Sequence, residues 1–194
     1  MPLFLYIGVN PLKVMYITGY KPFEYGIFKN DHVGVTYIKK AIKQRLTPFV
    51  EEGLEWVIIT GQLGTELWAA ETAYEIREEF GGRPQVGVIT PYLNQEESWK
   101  EDNKEYYESV IRRADFVDSI YKKPYEGPHQ LKMKNEYLVK KSDAMLLLYD
   151  EEREGSPKFA LNEAKKQGKH RDYPVFKISF DDLQQAGEEQ NWAE

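Results

Sequence analysis

The run Ala144-Met145-Leu146-Leu147-Leu148-Tyr149 is apolar at every position, and no other feature of this 194-residue chain restricts its fold as much. A strand with one face in water alternates apolar and polar side chains, so a strand without alternation needs cover on both faces. Five more β-branched or apolar runs occur: Val14 to Gly19, Trp56 to Gly61, Val86 to Thr90, Phe116 to Ile120 and Val175 to Ser179. Segments of helical period separate them. Ile38, Ala41, Ile42, Arg45 and Phe49 form one stripe, and Ala69, Ala73, Ile76 and Phe80 a second. Trp99, Asn103, Tyr106, Val110 and Ala114 form a third, and Leu131, Asn135 and Leu138 a fourth with a polar residue at its centre. Alternating strands and helices imply crossover units and a parallel sheet. The expectation is an α/β, three-layer fold with a mainly parallel sheet and helices on both faces. One domain should span 13–182, with an N-terminal extension (1–12) and a polar C-terminal tail (183–194). The last clear helix should open at Ser156-Pro157, with the serine hydroxyl as its cap.

The formal charge of −6 offers no general attraction to a phosphate backbone, so nucleic acid is an unexpected partner. Absence of cysteine excludes a disulfide scaffold, a thiolate nucleophile and a Cys-ligated metal, and it suits a reducing cytoplasm. No apolar stretch approaches the roughly 20 residues that span a bilayer. The apolar start MPLFLYIGVNPL has no preceding basic residue and runs into the first strand, so no signal peptide is expected. His32, His129 and His170 lack metal-ligand spacing, no residues form a nucleophile–base–orienter set, and no pattern requires a cofactor.

In an open parallel sheet, ligands bind beyond the carboxyl ends of the strands. Three strand ends rhyme there: Ile17-Thr18-Gly19, Ile59-Thr60-Gly61 and Ile89-Thr90-Pro91, which points to a shared pocket. Gly61-Gln62-Leu63-Gly64-Thr65-Glu66 follows a strand and opens a helix, where free N–H groups favour an anion such as phosphate. It is neither the dinucleotide fingerprint nor a Walker A loop. Glu66 is either a first-turn carboxylate favourable to the helix dipole or an acceptor for a ribose. Gly155, Ser156 and Lys158 form a second phosphate candidate behind the acidic run Asp150 to Glu154. Tyr125, in the loop Lys122 to Pro128, could stack on a base. Lys132, Lys134, Tyr137, Lys140 and Lys141 read as a solvated helix face.

Residues 14–28 with KPFEYGIF, GQLGTELWAAE at 61–71 and SDAMLLLYDEEREGSPK at 142–158 resemble the YpsA-type family of bacterial proteins. The resemblance runs from Lys13 to about Asp182. That family is placed with DNA-processing protein A and the cytokinin-activating phosphoribohydrolases, whose Rossmann-like fold binds nucleotides or their derivatives. It implies Gly64 and Glu66 as ligand contacts and Asn135 as the matching helix asparagine. The phosphoribohydrolase Pro-Gly-Gly-x-Gly-Thr-x-x-Glu motif is not reproduced, since Gly155-Ser156-Pro157 and a later Glu163 stand at that place. Members begin just before the first strand, so residues 1–11 look additional and Leu12 is expected to be read from an alternative start codon.

The leading expectation is a cytoplasmic sensor or regulator binding a nucleotide or ADP-ribose-like ligand, with Glu66 on the ribose. One alternative is an N-glycosidic hydrolase using Glu66 or Glu126. Another is a regulatory interaction module, for example in cell division. Trp99, Tyr106 and Tyr107 are candidate surfaces for a homo-oligomer.

Overall fold

Local preferences resolve into six strands and six helices among the described residues. In a computed structural model describing residues 11–191, the first half of the chain forms β1 (Val14–Gly19), a 3-10 turn (Pro22–Tyr25), α1 (Val33–Glu51), β2 (Trp56–Ile59), α2 (Thr65–Glu79) and β3 (Gln85–Thr90). It continues as α3 (Glu101–Ile111), β4 (Phe116–Ser119), α4 (Pro128–Lys140), β5 (Ala144–Leu148), α5 (Lys158–Gln167), β6 (Val175–Ile178) and α6 (Phe180–Asn191). The strands lie in the order β4-β3-β2-β1-β5-β6 and every neighbouring pair is parallel. This is the expected Rossmann-like architecture. Met15 on β1 pairs with Val57 on one side and Ala144 on the other, fixing the register at the centre.

Two apolar cores sandwich the sheet. One joins Met15, Ile17, Val57, Ile59, Val86 and Val88 to α1, α2, α3 and α6; the other joins Tyr16, Ile58, Met145 and Leu147 to α4 and α5. This explains why β5 is apolar throughout: alternate side chains serve opposite cores. Ala69, Ala70 and Ala73 let α2 approach the sheet closely, and Trp68 and Tyr74 on the same helix are fully buried.

After β4 the chain crosses back to lay β5 beside β1, so the order reverses between β1 and β5 and leaves a crevice beyond their carboxyl ends.

Three expectations are corrected. Much of the supposed polar tail belongs to α6, because Ala186 and Leu183 give that otherwise polar segment an apolar edge against the first core. Trp99 and Tyr107 stack edge-to-face at 5.4 Å, and the Tyr106 hydroxyl donates to Glu71 at 2.8 Å, so these aromatics pack inward instead of forming a surface. Ser156 does not cap α5: Pro157 occupies the cap position, and the serine hydroxyl donates to Glu24 at 2.7 Å. Of the N-terminal extension, residues 1–10 lie outside the described residues, while Leu12 packs against the first core. No described helix is long and apolar enough to cross a membrane.

Candidate functional site

Glu66, in the first turn of α2, is 2% exposed. One carboxylate oxygen accepts from the Thr18 hydroxyl at 2.8 Å. The other accepts from the Thr60 N–H at 2.8 Å, the Thr60 hydroxyl at 2.6 Å and the Gln62 N–H at 3.1 Å. The glutamate thus ties the ends of β1 and β2 to the loop that opens α2. Oε1, with one donor, keeps spare acceptor capacity where the residue borders the crevice.

Two loops are locked against each other beside this point. Tyr20 takes the Asp150 N–H on its hydroxyl at 3.0 Å, donates to the Arg153 carbonyl, and packs against Tyr25, Tyr149 and Phe180. Glu24 accepts from the Lys21 N–H and from both the N–H and the hydroxyl of Ser156, each at 2.7 Å. Glycine is required where these segments touch. A Cβ on Gly64, whose φ is +93°, would lie 2.8 Å from Pro22 Cδ and 2.9 Å from the Tyr20 carbonyl. One on Gly155 would lie 2.7 Å from Glu24 Oε1. Both glycines therefore serve the contact between loops.

A cavity of about 590 Å³ opens at the β1/β5 crevice, between α4 and α5. Its floor holds Thr18, Gly19, Gln62 and Glu66, and Asn135 reaches it from α4. Pro128, Leu131, Pro157 and Phe159 supply apolar wall. Four lysines, Lys21, Lys132, Lys134 and Lys166, face two glutamates, Glu66 and Glu163. Lys166 is paired with Glu163 at 3.0 Å. Among the described residues, Lys21, Lys132 and Lys134 have no carboxylate within 4.0 Å. Desolvation pushes the half-buried Lys134 ammonium below the ordinary lysine value, with Glu66 pulling the other way and Lys21 adding to the depression.

Of the residues singled out from sequence, Thr18, Gly19, Gln62, Glu66, Asn135 and Ser156 line the cavity. Thr60 stands behind Glu66. Gly61 is buried beneath Gln95, whose amide donates to the Thr60 carbonyl at 2.8 Å. Thr65 is turned away, donating to the Tyr20 carbonyl at 2.9 Å and meeting the Tyr25 hydroxyl at 2.7 Å.

Thr90 leaves the set, because the strand order puts β3 two strands from β1; its hydroxyl meets the Tyr92 carbonyl at 3.1 Å. Lys158 pairs with Glu154 at 3.3 Å, and Glu126 with Lys123 at 3.6 Å, both outside the cavity lining. Tyr125 stacks on Tyr92 at 5.1 Å. The expected phosphate cradles at 61–65 and 155–158 therefore contribute only Gln62, Ser156 and Pro157 to the lining. The cations come from the turn after β1, from α4 and from α5. Sequence reading missed Lys134 as a cavity residue although it lies three after Leu131 and four before Leu138, on the inward stripe of α4.

Fold and site together define a doubly wound Rossmann-like domain with a lysine-lined cavity at its switch point. The chain belongs to the YspA SLOG family, whose model, YpsA, matches residues 15–183. A UPF0398 protein of Bacillus thuringiensis (strain Al Hakam) is 57% identical over 181 residues, covering 93% of this chain and 98% of the relative. One from Bacillus cereus (strain AH187) matches to the same extent. Among solved structures, DNA processing protein A from Helicobacter pylori, described for its single-stranded DNA binding mode, superposes with a TM-score of 0.54 at 15% identity. The match covers 85% of this chain and 64% of that one, and it shows a shared fold. The family resemblance read from KPFEYGIF, GQLGTELWAAE and SDAMLLLYDEEREGSPK is thereby borne out.

Proposed function

We propose that this protein is a sensor or regulator that binds a phosphorylated nucleotide derivative, ADP-ribose-like in its chemistry, in the β1/β5 cavity. The observation that carries this reading is the convergence of Lys21, Lys132 and Lys134, free of carboxylates within 4.0 Å among the described residues, in a chain of net charge −6. Cations without internal partners in a concave site favour an external anion. The volume lies within the usual range for small-molecule sites, and the wall of Leu131, Phe159 and two prolines suits an apolar ring face. Glu66 Oε1 would take a ribose hydroxyl. Single-stranded DNA, which the Helicobacter protein binds, is disfavoured here because the chain is net acidic, with a formal charge of −6.

The hydrolase reading has less support. Glu66 is engaged by four donors, Glu163 is paired with Lys166, and Glu126 stands outside the cavity.

Thermal unfolding with nucleosides, mononucleotides, NAD and ADP-ribose tests the proposal. A phosphorylated ligand at about a hundred times its Kd should stabilise by about 2.7 kcal/mol. Nucleosides should do less, and added salt should reduce the gain. In the double variant Lys21→Ala, Lys132→Ala the stabilisation should disappear while the unliganded Tm is kept. No shift with any phosphorylated compound would overturn the reading.

A further inference from the structure

Lys134 stands apart from the two exposed cavity lysines and shares its partial burial with Lys21. It is half-buried on α4, whereas Lys132 and Lys166 are exposed, and it lacks the carboxylate partner that Lys166 has in Glu163. The charged groups around the same cavity are Lys21 from the turn after β1, Glu66 from α2, Lys166 and Glu163 from α5, and Lys132 on its own helix. Three of these five are cations. A lysine amine becomes nucleophilic when it is desolvated or held near other cations, because both favour its neutral form.

We propose that Lys134 is an acylation site that takes its acyl group from an acyl phosphate whose phosphate is held by Lys21 and Lys132. The proposal rests on the anion-binding reading of the cavity and adds its regulation. The Nζ lone pair attacks the acyl carbon, and the bond from that carbon to the phosphate oxygen breaks. Inorganic phosphate leaves with the electron pair, the nitrogen gives a proton to water, and a neutral amide remains. The cavity then carries one positive charge fewer and holds an anionic ligand less tightly. Burial of Lys134, which raises the neutral fraction of its amine, works in the same direction as the geometry.

The test uses the full chain and acetyl phosphate, with the initial acetylation rate at each lysine read by peptide mass spectrometry. Lys134 should react about tenfold faster than the exposed Lys169, because the bound phosphate holds the acyl carbon beside it. Inorganic phosphate should slow Lys134 and leave Lys169 unchanged. Lys134→Gln, which imitates the acylated state, should weaken binding of the phosphorylated ligand by about tenfold, whereas Lys134→Arg should retain it. A Lys134 rate no greater than that of Lys169, or a preference that inorganic phosphate does not reduce, overturns the proposal. Phenyl acetate, an uncharged donor, separates the two ways of failing. Preference with phenyl acetate but not acetyl phosphate removes the anion site along with the proposal. Preference with neither removes the reactive lysine alone, and the thermal assay still decides ligand binding.

Discussion

Glu66 shows how one side chain can be legible in place while the set of groups that hold it is not. Its place after a strand and a glycine turn marks it as a helix-start carboxylate near the ligand edge, and the structure puts it at the cavity floor. Three of its four donors come from Thr60 and Gln62 close by in the chain, but the fourth was not legible, because the Thr18 hydroxyl is 48 residues away and reaches Glu66 only once β1 lies beside β2. Those donors change what a mutation reports. Glu66→Ala leaves two hydroxyls and two backbone N–H groups facing a buried void, and each buried unsatisfied group costs about 1–3 kcal/mol. Partial relaxation makes the costs less than additive, so a net loss of about 3 kcal/mol is expected. Urea unfolding should show it as a lower midpoint with an unchanged slope. An unchanged midpoint would mean that the carboxylate does not hold the strand ends together. A binding defect in Glu66→Ala therefore cannot be assigned to lost ligand contact, and the lysine variants are the cleaner probes.

At the scale of elements, the sheet was readable because apolar runs and helical stripes do not depend on partners, and all six expected runs form strands. What was not readable depends on packing between distant segments. α6 is polar along most of its length, and its inward face comes from Phe180 on Tyr20 and Tyr25 and from Leu183 and Ala186 against the first core. The motif KPFEY is a similar case. Its Glu24 reaches across 132 positions to hold the loop between β5 and α5, which no periodicity encodes. This loop supplies Ser156 and Pro157 to the cavity, so Glu24 sets the cavity wall without lining it. Glu24→Ala removes the acceptor for the Ser156 N–H and hydroxyl and should let the loop open locally. Hydrogen exchange should then accelerate at Ser156 by about tenfold or more, while the β5 amides stay protected. Equal protection at Ser156 in the two proteins would show that Tyr20 alone suffices to anchor the loop.

Over the whole molecule, the response to pH follows from the phenols placed in the two cores. Tyr74 and Tyr173 are pushed up to about 12, in both cases mainly by burial, opposed at Tyr74 by Arg77 and Arg113 and at Tyr173 by its hydrogen bond with Ser142 and by Arg171. Burial also raises Tyr16, Tyr20, Tyr25, Tyr92, Tyr106 and Tyr107. A phenol whose folded value exceeds its unfolded value of 10.0 contributes stability that is complete below that value and is lost as pH rises towards the folded value. Lys134 acts in the opposite sense: its folded value is depressed, so its penalty is relieved as pH rises towards the ordinary lysine value. One amine stands against eight phenols, and each pKa unit corresponds to about 1.4 kcal/mol. The phenols therefore dominate above pH 10. Urea midpoints should be steady between about pH 8 and 9.5 and fall steeply by about pH 11, in parallel with the appearance of tyrosinate absorbance. Tyr173→Phe should flatten part of that fall, because it removes a titrating group and leaves the Ser142 hydroxyl its bond to the Leu138 carbonyl at 2.7 Å. A midpoint that stays level to pH 11 would mean that these phenols ionise as readily in the folded chain as in the unfolded one.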